Sequence, residues 1–306
     1  MSTSYSMQPE PSRNAQRRGL RKGLYLIPSV FTAANIGMGF FSVMSSLRGF
    51  QLLVGSSPDL ATQHFDNAAT AIGFAVLFDI LDGRIARMTK TTTEIGIQLD
   101  SIADVVTFGV APAVLAYVWG YGGSVSEGTN LHRLAWFLSF MYLMCGAFRL
   151  ARFNVQASRP RVVAEGTARV DKKSFVGLPI PAAGGLIAAL VHFAPRPVTG
   201  YGPESAQVYS TLLMFLVGLL GVLMVSTLRF SSFKAVGTGS RSMRTIIIVL
   251  AIGGLIVLYS QYVLLGLVLA YILHGLLTRV FSALWRRGES VEAKIETNPV
   301  GRSSSH

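Results

Sequence analysis

Cysteine is almost missing from this chain: Cys145 is the only one in 306 residues. No disulfide can form within the chain, so a disulfide-stapled scaffold is excluded. Charge is also scarce, at 14% of residues, where soluble domains carry about a quarter. Acids are the scarcer sign, 15 Asp and Glu against 27 Lys and Arg, which leaves a formal net charge of +12. Apolar residues are plentiful. They make up 51% of the chain and come in long runs, which excludes a disordered protein and argues against a single soluble globule. A polytopic membrane protein remains. In such a protein the position of the basic residues matters more than their sum, and the excess charge does not imply a nucleic-acid partner.

A helix needs about 20 mostly apolar residues to cross the hydrocarbon. Eight stretches qualify: 24–47, 64–88, 96–119, 133–153, 177–195, 207–228, 245–261 and 263–281. The last two are separated by Ser260-Gln261-Tyr262 and are expected to form a tight hairpin. Merging them would make a crossing of about 37 residues, which is too long. Eight alternating helices place 24 of the 27 basic residues on one side, leaving only Arg48, Arg133 and Arg196 on the other. By the positive-inside bias the rich side is cytosolic, and both termini lie there.

The expected organisation has four parts. Residues 1–23 form a basic segment that is not a cleavable signal peptide. It is either a short interfacial helix or a flexible arm that sets topology. Residues 24–228 form a six-helix core, 229–281 a basic loop and the C-terminal hairpin, and 282–306 a disordered cytosolic tail. The fold class is all-α.

Ionisable groups inside membrane segments are rare and usually functional. Four aspartates nevertheless fall in two consecutive apolar segments. Asp79 and Asp82 are three residues apart, and Asp100 and Asp104 four, so each pair shares a helix face. Only a short loop separates the two helices, which predicts that they pack side by side. Four facing carboxylates cannot all stay ionised without cations. Oxygen ligands select hard ions such as Mg²⁺ or Mn²⁺, and four aspartates can balance two of them. Buried salt bridges to Arg84, Arg87 or Lys90 would explain one or two of the acids but not all four. An ion-coupled transport path is the rival from another class, although transport sites usually sit nearer the midplane on broken helices. Gly83 and Gly96 flank the acids, where a missing side chain allows either a ligand or a neighbouring helix to approach.

The pattern Asp79-x-x-Asp82-Gly83-x-x-Ala86-Arg87, then eight residues, then Gly96-x-x-x-Asp100-x-x-x-Asp104 resembles the signature of the CDP-alcohol phosphotransferase family at all eight fixed positions. Three further segments are similar to the phosphatidylserine synthase branch of that family. They are Phe148-Arg149-Leu150-Ala151-Arg152-Phe153-Asn154, Ser174 to Ala183, and Leu223 to Phe230 followed by Ser232-Phe233-Lys234. The resemblance implies transfer of a phosphatidyl group from CDP-diacylglycerol to L-serine, with release of CMP. It implies that Asp79, Asp82 and Asp100 hold a pair of divalent ions, with Asp104 near the second and acting as general base. Gly83, Ala86, Arg87 and Gly96 would line the CDP-diacylglycerol pocket. It also implies a homodimer within the membrane lipids.

Other positions stay open. Asn35, which belongs with Pro28 and Thr32 to a first-helix pattern, either faces the nucleotide or bonds a neighbouring helix. Arg149, Arg152, Arg229 and Lys234 are acceptor or phosphate ligands, or ordinary cytosolic anchors. Asn154 is a helix C-cap or an acceptor contact. Glycerol 3-phosphate and inositol phosphate are the alternative acceptors, and the basic stretch 159–173 suits their phosphate. The five histidines are scattered without metal-ligand spacing. Cys145 reads as a small apolar packer, and Trp119, Trp136 and Trp285 as interfacial anchors.

Overall fold

A computed structural model gives the structure, and it describes residues 13–55, 57–89, 94–158, 174–231, 259–275 and 277. Within them run seven helices: α1 (Arg13–Val54), α2 (Pro58–Thr89), α3 (Glu94–Tyr121), α4 (Asn130–Ser158), α5 (Ile180–Phe193), α6 (Pro203–Val225) and α7 (Tyr259–Gly275). Two three-residue strands, β1 (Ser174–Val176) and β2 (Arg229–Ser231), pair antiparallel with Phe175 opposite Phe230. This small ribbon joins the start of α5 to the end of α6 and is the one departure from a helical architecture among the described residues.

Four helices are long and apolar enough to cross a membrane: Val30–Val54 of α1, all of α3, Asn130–Gln156 of α4, and α6. Large apolar side chains such as Phe40, Phe137, Phe140 and Phe215 point outward, as suits a surface solvated by lipid. The chain is a polytopic integral membrane protein. α2 is 32 residues long, but its acids and arginines dilute its apolar character. α5 has 14 residues, about 21 Å at 1.5 Å per residue. Pro179 and Pro181 set its start, and Pro195 and Pro197 lie just beyond its end, where proline disfavours further helix.

Two expectations change. The basic residues from Arg13 to Lys22 are the opening turns of α1, continuous with the first span. Ser260, Gln261 and Tyr262 lie inside α7 rather than in a turn; they contain no glycine or proline to stop a helix. Residues 245–258 of the seventh expected span, and the tail from 282, lie outside the described residues.

The core is built where α1 packs along α2, α4 along α6, and α5 against α2 and the middle of α3. Phe65, Ile72, Phe108, Leu115, Tyr142, Ile187 and Leu220 are almost fully buried there. Cys145 is buried among them as a free thiol. α3 is irregular: Val105–Val110 and Tyr117–Tyr121 are π-helical. A π turn displaces the regular backbone bonds, and in a membrane the exposed carbonyls need partners. Tyr142 Oη donates to the Phe108 carbonyl at 2.9 Å, and Ser210 Oγ to that of Gly120 at 3.1 Å. Trp119 is also tied into the protein. It is 6% exposed, and its Nε1 donates to the Arg196 carbonyl at 3.1 Å, so it anchors a loop rather than a lipid interface.

Two glycines are required by close approach. A Cβ on Gly39 would stand 2.8 Å from Thr107 Cα, where α1 crosses α3. Gly177 has φ +84°, and a Cβ there would meet the Met224 carbonyl oxygen at 2.2 Å. Gly177 N donates to Leu228 O at 2.7 Å, and Leu178 N to Leu223 O at 3.0 Å. These bonds fix the entry to α5 against the end of α6.

Candidate functional site

Asp79 and Asp82 stand near the end of α2, and Asp100 and Asp104 on the first turns of α3. The two segments bring their aspartates together across a common space, as the short loop suggested. Residues 94–104 also pack on α1, and the backbones of α2 and α3 pack together along residues 105–116. Facing carboxylates need solvation or a cation between them, and α1 adds support from the side.

Across that space Asp79, Asp100 and Asp104 each offer a carboxylate oxygen, and the three atoms lie within 4.8 Å of one another. Asp104 is only 9% exposed. Its Oδ1 is buried and accepts no hydrogen bond from the described residues. A buried carboxylate oxygen with no donor calls for a cation or a proton, and three carboxylates this close cannot all be charged without counter-ions. An all-oxygen donor set of this kind fits a hard divalent ion. Asp104 is followed at once by the π turn Val105–Val110, a distortion common at functional sites.

Asp82 is held differently. It is 6% exposed, and its Oδ2 accepts the hydroxyl of Thr32 on α1. Asn35, one turn further along α1, is 1% exposed. Its backbone carbonyl accepts Thr107 Oγ1 at 3.0 Å, while its side-chain Oδ1 is buried without a partner among the described residues. Gly83 is half-buried beside Asp82, and Gly96 is exposed one turn before Asp100.

A cavity of about 210 Å³ opens beside the aspartates, lined by Asp100, Ser101, Asp104, Arg149, Asn154 and the two prolines Pro179 and Pro181. Arg149 is the basic group within it. Its Nε is buried without a hydrogen-bond partner among the described residues, and its guanidinium interacts with the Asp104 carboxylate electrostatically. Arg149 also borders a second cavity of about 260 Å³ with Arg152, Gln156 and Met224. Arg152 itself is exposed. Asn154 does not cap α4, which continues to Ser158. Its Nδ2 donates to Ser101 Oγ at 2.8 Å, and Ser101 Oγ donates to Ile97 O at 3.0 Å. Asn154 therefore braces α4 against α3 one residue from Asp100.

The structure thus gathers Asp79, Asp100, Asp104, Arg149 and Asn154, with Asp82 and Asn35 just behind on α1 and α2. The side chains of Ala86, Arg87 and Arg229, and all of Lys234, lie outside the described residues. Sequence reading missed Ser101 as the partner of Asn154, although its place beside Asp100 on the inward stripe of α3 was the available signal. It also passed over His192, whose partners are distant in sequence.

A family model described as CDP-alcohol phosphatidyltransferase matches residues 25–208. Among curated proteins, the CDP-diacylglycerol–serine O-phosphatidyltransferase of Helicobacter pylori is 33% identical over 84% of this chain and 92% of its own length. The protein of the same name from Mycobacterium tuberculosis is 28% identical over 84% of this chain and 79% of its own. That from Methanocaldococcus jannaschii is 35% identical over 55% of this chain and 65% of its own.

Proposed function

The chain belongs to the CDP-alcohol phosphatidyltransferase family, and from that premise we propose that it transfers the phosphatidyl group of CDP-diacylglycerol to the hydroxyl of L-serine, giving phosphatidylserine and CMP. The observation that carries this reading is the cluster of Asp79, Asp100 and Asp104 beside a cavity that also holds Arg149. The serine in the relatives' names favours that acceptor.

Asp79, Asp82 and Asp100 would hold two divalent ions, Mg²⁺ or Mn²⁺, with Asp104 at the second. Ions bound there would neutralise the donor diphosphate and ease departure of CMP. The protein's own residues do the rest. The serine hydroxyl is a weak nucleophile and needs a base where it attacks. Asp104, whose Oδ1 has no hydrogen-bond partner among the described residues, takes the hydroxyl proton as the new O–P bond forms. The P–O bond to CMP breaks, and CMP leaves with the electron pair. Gly83, Ala86, Arg87, Gly96 and Asn35 line the donor site. Arg149 receives the serine carboxylate by charge-assisted hydrogen bonding, and Asn154 shapes the same wall. Arg152, Arg229 and Lys234 are the further candidates for acceptor or phosphate.

In this reading the site faces the cytosol, because the basic residues cluster on its side of the bilayer. The acyl chains then stay in lipid while serine enters from water. The chain acts as a homodimer embedded in membrane lipids. Product analysis by mass spectrometry tests the acceptor: purified protein with CDP-diacylglycerol should convert isotope-labelled serine to phosphatidylserine. Product from glycerol 3-phosphate or inositol phosphate, with none from serine, would contradict the assignment.

A further inference from the structure

At the end of the bundle away from the aspartates, α5, α6 and the closing part of α3 enclose a cavity of about 420 Å³. That is within the range of about 300–1,000 Å³ usual for a small-molecule site. Trp119, on its wall, comes well after Asp104 on α3, about 20 Å along the helix, so the cavity is separate from the carboxylate cluster. Its α6 side is the stripe Tyr209, Leu212, Leu213 and Leu216, spaced so that all four share one helix face. Trp119 and Leu213 are buried, whereas Phe193, Tyr209 and Leu212 are exposed. The cavity is therefore a groove with a closed floor and an open side, running about 10 Å along α6.

A cation is fixed at this groove. Arg196, in the loop between α5 and α6, is exposed. Its carbonyl accepts Trp119 Nε1 at 3.1 Å, and its Cζ stands 5.3 Å from the centre of the Tyr201 ring. Both rings are walls of the cavity. The side chain passes over Gly200, where a Cβ would come 2.7 Å from the Arg196 Nε. Stacking on a ring face leaves the N–H edge of a guanidinium free for an oxyanion. Among the described residues no acid forms an ion pair with Arg196, and Asp66 pairs instead with His192, Oδ1 to Nδ1 at 2.5 Å.

A free anion would use the arginine and leave the groove empty, and a plain hydrocarbon would do the reverse. An unpaired cation fixed beside an apolar groove, on a surface solvated by lipid, matches a single molecule that carries both an anionic phosphate and an acyl chain. We propose that this groove binds an anionic phospholipid, with the phosphate on the Arg196 guanidinium and an acyl chain along Tyr209, Leu212 and Leu216. The lipid held there is not a substrate, because the carboxylate cluster lies toward the other end of α3.

The test is native mass spectrometry of the purified full chain in detergent, titrated with phosphatidylglycerol, with phosphatidylcholine and inorganic phosphate in parallel. Arg196→Gln should weaken the phosphatidylglycerol adduct about tenfold, as loss of a charge-assisted contact implies, and leave phosphatidylcholine adducts unchanged. Gly200→Ala, which displaces the guanidinium, should weaken the same adduct. Leu212→Trp, which fills the open side of the groove, should weaken it with Arg196 intact. Equal phosphatidylglycerol adducts in the wild type and all three variants would overturn the proposal. Displacement of the lipid by inorganic phosphate, with no effect of Leu212→Trp, would mean a simple anion site and overturn it too. A shift from dimer to monomer in Leu212→Trp with lipid adducts unchanged would give the groove to a second copy of the chain instead.

Discussion

Thr32 on α1 donates its hydroxyl to Oδ2 of Asp82 on α2, so one of the four acids is held by the first helix while the other three face one another. α1 is in this way part of the site and not only a wall of the bundle. Groups that orient a metal ligand typically matter for metal affinity about as much as 10-fold or more. Thr32→Val should therefore raise the half-saturating Mg²⁺ or Mn²⁺ concentration about tenfold, with little change in turnover at saturating metal. An unchanged metal titration would mean that the bond serves folding alone.

Asp104→Asn keeps the size of the side chain and removes its ability to accept a proton. Turnover should fall by about 10²-fold or more, while binding of CDP-diacylglycerol, measured by equilibrium binding in detergent, is largely retained. Asp79→Ala or Asp82→Ala should instead weaken metal-dependent donor binding. Near-normal turnover in Asp104→Asn would remove this residue as the base.

Asn154→Ala cuts the brace from α4 to Ser101 and loosens the wall that carries Arg149. The expected outcome is a higher KM for serine with donor affinity preserved, read in the same kinetic assay. Equal weakening of both substrates would place Asn154 at the donor instead.

Gly177→Ala should destabilise the protein by about 1–3 kcal/mol. The backbone there has φ +84°, and a methyl group would press on the Met224 carbonyl. A thermal unfolding scan in detergent reports it as a lowered Tm. An unchanged Tm would show that the ends of α5 and α6 are free to separate.

Four of the expected spans and the aspartates were legible in the sequence because lipid imposes a simple rule on composition, and a charged residue breaks it visibly. The spacing of Asp100 and Asp104 on one helix face placed them correctly toward a common space. Other features were not legible. The π turns after Asp104 depend on Tyr142 and Ser210 reaching back from α4 and α6, and nothing local announces such partners. The packing of residues 94–104 on α1 was not legible either, because loop length pointed only to α2. The helix through Ser260–Tyr262 was masked by two polar residues that resemble a turn but contain no breaker. The bond from His192 to Asp66 and Ser260 joins residues 126 and 68 positions apart, beyond the reach of any local pattern.

The most direct test of the central claim is CMP release by the purified protein from CDP-diacylglycerol, with Mg²⁺ or Mn²⁺ present and with serine added or withheld. The account predicts release that depends on serine and stops when EDTA removes the metal. Release that ignores serine, or that persists undiminished in EDTA, would contradict it.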